Sequence, residues 1–207
     1  WNRTFELTSE SPRFGVLLLH GLSDAPYSLR AIGERLYAEG AHVIGLRIPG
    51  HGTAPAALTK TSWQDMSAAV RIAMRHLHTN VGDQPLYLVG YSNGGALSVR
   101  YALESIEDPS LPPLEGMALL SPEIGITAMA KFAVWQERIG YLLGLNKLQW
   151  QTVLPEYDPY KYTSFPVNAG MLAYHLTVSN RVQLKTLAAQ GRLDAFPRVL
   201  ACQSVVD

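Results

Sequence analysis

An excess of charge is the first thing this sequence lacks. Across 207 residues, 17 Lys and Arg stand against 17 Asp and Glu, and only 16% of the chain is charged. Neutralising nucleic-acid phosphates takes a basic surplus, so nucleic acid is excluded as an electrostatic partner and a strongly anionic surface is disfavoured. Cysteine is nearly missing as well. Cys202 is the single thiol, which rules out an intrachain disulfide and a cysteine-held zinc cluster. No apolar run approaches the roughly twenty residues of a membrane-spanning helix. The opening Trp1-Asn2-Arg3-Thr4-Phe5 does not show the charged-then-apolar pattern of a signal peptide. A soluble enzyme without stable membrane insertion is expected, with the cytoplasm the favoured compartment; oligomeric state is not legible. Repeats are absent, no glycine-rich loop with a lysine is available to cradle phosphate, and neither a metal nor an organic cofactor is implied.

What is present is apolar material in periodic order. Hydrophobic residues make up 47% of the chain, enough for one substantial core and one domain over residues 1–207 with an inserted cap. Strand-like runs at 14–19, 41–45, 85–89, 116–121 and 198–203 alternate with helical patterns, as a parallel sheet with crossover helices demands. In the first helix Leu29, Ile32, Leu36 and Tyr37 mark the buried stripe, and Gly40 ends it. In the second, Ser62 and Asp65 give a capping-box start, and Trp63, Met66, Val70, Met74 and Leu77 line the core side. Another helix spans 169–190. The fold class is therefore α/β, a doubly wound and mostly parallel sheet.

The chemistry concentrates in Gly90-Tyr91-Ser92-Asn93-Gly94, between the strand at 85–89 and a helix beginning near Gly95. A Gly-x-Ser-x-Gly sequence in that context is a nucleophile elbow: the serine takes a strained backbone conformation, and side chains at Gly90 and Gly94 would collide across the turn. Acyl transfer also needs an anion site for the carbonyl oxygen. The backbone amides of Leu22, after the strand ending in His20-Gly21, and of Asn93, which opens the elbow helix, are assigned that role. His20 is expected to bond loop carbonyls and shape that turn.

A third turn, Pro49-Gly50-His51-Gly52, completes a recognisable set. With His20-Gly21 and the elbow, it makes the chain resemble the α/β-hydrolase superfamily, and within it the lysophospholipase and monoacylglycerol-lipase-like serine esterases. The resemblance is firm from Phe14 to Ser121 and weaker from Pro122 to Pro197. It implies the α/β-hydrolase fold with a helical cap over about 122–166, rich in bulky residues such as Phe132, Trp135, Ile139, Leu142, Trp150, Tyr157, Tyr160 and Tyr162. It implies a small-molecule, lipid-like ester with an apolar acyl or alkyl group as substrate.

The serine also needs a base and an acid that orients it. The superfamily order of serine, acid, histidine makes Asp207 the leading acid, with Asp194 the runner-up and Asp158, inside the cap, more remote. The triad histidine is then expected beyond residue 207, so that the C-terminal part of the fold is expected to be missing from this chain. His51 and His175 do not occupy the family's histidine position. Thioesters, amides or peptides remain alternative substrates on the same fold, as does a noncatalytic binding module.

Overall fold

The computed structural model describes residues 2–125 and 149–204. Its elements, in chain order, are β1 (Phe5–Leu7), β2 (Phe14–Leu19), α1 (Arg30–Ala38), β3 (Ala41–Leu46), α2 (Trp63–Val81), β4 (Leu86–Tyr91), α3 (Asn93–Glu107), β5 (Gly116–Leu120), β6 (Trp150–Thr152), β7 (Phe165–Pro166), α4 (Val167–Ala189) and β8 (Arg198–Cys202). Six strands form one sheet in the order β1-β3-β2-β4-β5-β8. Only β1 runs antiparallel; the remaining pairs are parallel. The expected doubly wound, mostly parallel sheet is the one observed.

Period-two alternation places β2 in the middle of two cores. Leu17 and Leu19 join Leu88, Met117 and Leu119 against Met66, Val70, Met74 and Leu77 of α2, Leu97 and Tyr101 of α3, and Leu172 and Leu176 of α4. Val16 and Leu18 point the other way, into a smaller cluster with Val43, Val89 and Leu29, which Leu36 of α1 partly covers. The three helices on the larger face are tied by charge as well as packing. Glu104 of α3 accepts from Arg71 of α2 and from Arg100, whose guanidinium also reaches Ser179 and Gln183 of α4. Helix α2 starts as expected. The Ser62 side chain accepts the Asp65 amide at 3.1 Å while the Asp65 carboxylate accepts the Ser62 amide at 3.0 Å, a reciprocal capping box.

Helix α1 corrects its expected stripe. Ile32 and Tyr37 are exposed, and the residue turned into the sheet is Gly33. A side chain there would press on Leu18 at 2.9 Å and on Phe5 and Val43 at 3.3 Å, so the helix lies closer to the sheet than a Leu or Ile would permit. Of the expected cap at 122–166, residues 126–148 lie outside the described residues, and Phe132, Trp135, Ile139, Tyr141, Leu142, Leu143 and Leu145 with them. The described remainder is a short ribbon, β6 paired antiparallel with β7, leading into α4. No described helix is long and apolar enough to cross a membrane.

Candidate active site

The strand order reverses at β2: the chain moves from β2 outward to β3 and then returns past it to β4. In open α/β sheets that reversal leaves a crevice at the carboxyl ends of the two central strands. Here those ends are Leu19, paired with Gly90, followed by His20 on one strand and by Tyr91 and Ser92 on the other.

Ser92 has φ 53° and ψ −117°, one of two non-glycine residues with positive φ among those described. Hydrogen bonds hold it there. Its amide donates to Leu120 O at 3.0 Å, and its carbonyl accepts from Gly95 at 2.9 Å and from Glu123 at 3.0 Å. A strained backbone persists only where its surroundings hold it in this way. The glycines follow from the same geometry. A Cβ on Gly90 would run into the Gly94 carbonyl and stand 2.5 Å from Ser98 Oγ; one on Gly94 would strike the Leu19 carbonyl and come within 2.8 Å of His20 O. Gly94 is thus what lets α3 begin directly against the end of β2. Asn93 is the first residue of α3 and is buried, and the first amides of a helix have no acceptor within it.

The loop after β2 is fixed from several sides. His20 is fully buried; its Nδ1–H donates to Gly21 O at 2.8 Å, and its Nε2 accepts the Ile48 amide at 3.2 Å. Burial, aided by the nearby His51, pushes its pKa down to about 3, while the bond to Gly21 pulls weakly the other way. It therefore stays neutral with one defined tautomer, as a loop-shaping residue should. His51, 3% exposed, meets His20 edge to face at 4.8 Å between ring centroids. The short contact of 2.7 Å between its Nε2 and Leu22 O places the proton there, with Nδ1 against the carbonyls of Ile48 and Pro49. Burial lowers its pKa despite those three carbonyls and the Asp24 carboxylate. Asp24 itself is raised by burial, against the pull of Lys161 and His51.

The remaining histidines point elsewhere. His42 and His76 bond Glu6 at the β1 edge, while His78 and His175 are exposed on α2 and α4. None of the hydrogen bonds made by the six reaches Ser92. The acid candidates separate by topology. Asp194 is exposed in the turn before β8, and because β8 runs parallel to β4 it lies at the opposite end of the sheet from Ser92. Asp158 caps Tyr160 N at 2.8 Å in a polar cleft of about 210 Å³ that it shares with Asp24, Thr53, Lys161 and Tyr162. Asp207 lies outside the described residues; the last strand residue, Cys202, accepts Ser121 N at 2.7 Å, so β8 ends at the same edge as Ser92.

Two groups near the elbow were not singled out by sequence. Pro122 backs Gly95, where an added Cβ would lie 2.8 Å from its Cβ. The Glu123 carboxyl is raised by burial, and its Oε2 has no hydrogen-bond partner among the described residues. The proline and the acid following a strand were visible, but nothing in the sequence says that they fold back onto the elbow. Among the described residues no group of three or more His, Cys, Asp or Glu could hold a metal ion.

Residues 10–195 match the Hydrolase_4 family, described as serine aminopeptidase, S33. A thermostable monoacylglycerol lipase from Bacillus sp. (strain H-257) is 29% identical over 123 residues, which is 59% of this chain and 46% of that protein; the match thus spans less than half the relative's length. A structure described with the metagenome-derived lipolytic enzymes LipS and LipT superposes with TM-score 0.73 at 19% identity, covering 98% of this chain and 87% of that one. A Paleococcus ferrophilus monoacylglycerol lipase gives TM-score 0.64 at 18% identity, covering 97% and 88%. Matched over nearly its whole length and folded as these structures are, the chain belongs to the serine aminopeptidase S33 family of α/β-hydrolases.

Proposed function

We propose that this protein is a serine hydrolase of carboxylic esters that carry an apolar acyl or alkyl group. The observation that carries the reading is Ser92, held at positive φ between β4 and α3 with Gly94 seated on the end of β2. In the proposed reaction the Ser92 hydroxyl adds to the ester carbonyl as a histidine takes its proton. Asp207 orients that base, and the base follows Asp207 in chain order as the family arrangement has it. The amides of Leu22 and Asn93 receive the developing oxyanion. The alcohol leaves with the proton, and water then hydrolyses the acyl-enzyme. The matches to monoacylglycerol lipases and lipolytic enzymes support an ester as the bond and a lipid-like chain as the substrate.

The test is labelling by a serine-reactive fluorophosphonate together with turnover of p-nitrophenyl esters of graded chain length. The expected result is labelling of Ser92, lost in Ser92→Ala, with turnover that grows with chain length. A wild-type protein that leaves Ser92 unlabelled overturns the assignment. The family's description as an aminopeptidase favours a second reading, cleavage of amino-acid amides. Turnover of aminoacyl p-nitroanilides in preference to the esters would replace the first reading by that one.

A further inference from the structure

We propose that Tyr162, on the segment that returns from the cap region, is a positioning residue of the hydrolytic site, acting through His51 and the loop from Gly21 to Asp24. The proposal rests on the reading above, in which the Leu22 amide receives the oxyanion.

Three successive carbonyls of that loop are held by separate donors. Gly21 O accepts from His20 Nδ1 at 2.8 Å and from the Asp24 amide at 3.2 Å; Leu22 O accepts from His51 Nε2 at 2.7 Å; Ser23 O accepts from the Tyr162 amide at 2.7 Å. A trans peptide sets each N–H opposite the carbonyl of the preceding residue. Fixing Gly21 O therefore aims the Leu22 amide, and fixing Leu22 O and Ser23 O keeps the next two peptide planes from rotating and taking it with them. An oxyanion donor is effective in proportion to how little it reorganises as charge develops.

Tyr162 contributes to this twice. Its backbone holds Ser23, and its side chain closes the turn that carries His51: the hydroxyl accepts the amide of Thr53, two residues after His51, at 3.1 Å and donates to the carbonyl of Gly50, one residue before it, at 3.3 Å. The phenol ring lies parallel to the imidazole, 8° between planes and 6.0 Å between centroids. His51 in turn holds Leu22. One residue outside the two loops thus braces both, the Ser23 loop through its amide and the His51 turn through its hydroxyl, and it belongs to the stretch between β6 and β7, next to the region expected to meet substrate.

The experiment compares the wild-type protein with Tyr162→Phe and Tyr162→Ala, and with Tyr157→Phe, an exposed tyrosine of the same stretch. The readouts are kcat and KM on a p-nitrophenyl ester and the rate of fluorophosphonate labelling, which uses the same oxyanion donors. Tyr162→Phe keeps the ring and the backbone bond and loses only the hydroxyl's two contacts. The expected result is a fall of about threefold to tenfold in kcat and in labelling rate, the size of one ordinary hydrogen bond, with KM within twofold. Tyr162→Ala should lose more, and Tyr157→Phe should match wild type. A labelled wild type with Tyr162→Phe and Tyr162→Ala at its rate overturns this proposal alone, as does a raised KM at unchanged kcat, which would make Tyr162 a substrate contact. An unlabelled wild type overturns the serine-hydrolase reading and this proposal with it.

Discussion

Replacing Ser92 by glycine should leave a more stable protein than replacing it by alanine, although both remove the hydroxyl. The conformation at φ 53° and ψ −117° is the mirror image of an ordinary extended one. Glycine adopts it without cost, whereas any residue with a Cβ is strained there by about 1–3 kcal/mol. Against this, glycine in the unfolded chain has more freedom to lose, which costs about 0.5–1 kcal/mol relative to alanine. Taken from the middle of each range, the difference leaves Ser92→Gly ahead by about 1 kcal/mol. In a chain of this size that corresponds to a rise of roughly 2–4 °C in Tm. Alanine is the proper reference, because it removes the serine oxygen while keeping the Cβ that the turn strains against. Nor does either substitution touch the backbone bonds to Leu120, Gly95 and Glu123. Thermal melts and urea midpoints of the two variants, side by side, measure the difference. A Ser92→Gly protein that melts at or below Ser92→Ala would mean that the turn stores no strain, and the physical argument for an activated serine would go with it.

Two further outcomes follow from glycine and histidine positions. Gly94→Ala should cost about 1–3 kcal/mol by urea midpoint and abolish labelling, because its Cβ meets the backbone of Leu19 and His20, which cannot swing aside; Gly170→Ala, with only a Phe165 ring carbon at 3.9 Å, should instead gain about 0.5–1 kcal/mol. His20 is neutral in the folded protein down to about pH 3, whereas an unfolded histidine takes a proton as pH falls through 6.5. The stability advantage of wild type over His20→Asn should therefore be full above that value and shrink by about 2 kcal/mol between pH 7 and pH 5. A gap in urea midpoint that stays constant over that range would refute the burial of a neutral imidazole.

The fold was legible wherever a period ran long enough to be read against its partner element. Both central strands, the capping box at Ser62 and Asp65, and the buried stripe of α2 appear as their residues require. Legibility fell where a short element or an absent side chain decided the geometry. Three residues of β1 carry no period, yet they pair antiparallel along β3. Gly33 offers no apolar signal, so the expected stripe of Leu29, Ile32, Leu36 and Tyr37 includes two residues, Ile32 and Tyr37, that face solvent; a missing side chain brings the helix close. The ribbon of β6 and β7 pairs across a register irregularity that alternation alone does not reveal.

The site divides along a similar line. The elbow could be read because its requirement is local: a kinked serine needs small neighbours at fixed offsets, and sequence records residue size at fixed offsets directly. His20-Gly21 and Pro49-Gly50-His51-Gly52 were legible as turns, but not as two turns that interlock. Their bonds join imidazoles to main-chain groups, the Ile48 amide for His20 and the Leu22 carbonyl, 29 residues distant, for His51, and nearly every residue type supplies both groups, so the main-chain partner leaves no mark on the sequence. What brings the turns together is the sheet itself. Register sets Leu19 beside Gly90 and Leu46 beside Leu19, so the loops leaving three parallel strands must emerge side by side at one edge. A tyrosine 112 residues after Gly50 in the chain then needs only to pass that edge to touch both. Parallel pairing thus converts three separate local motifs into one site, and for that reason Asp194, at the entering end of β8, could never have joined it, however well its residue type suited the part.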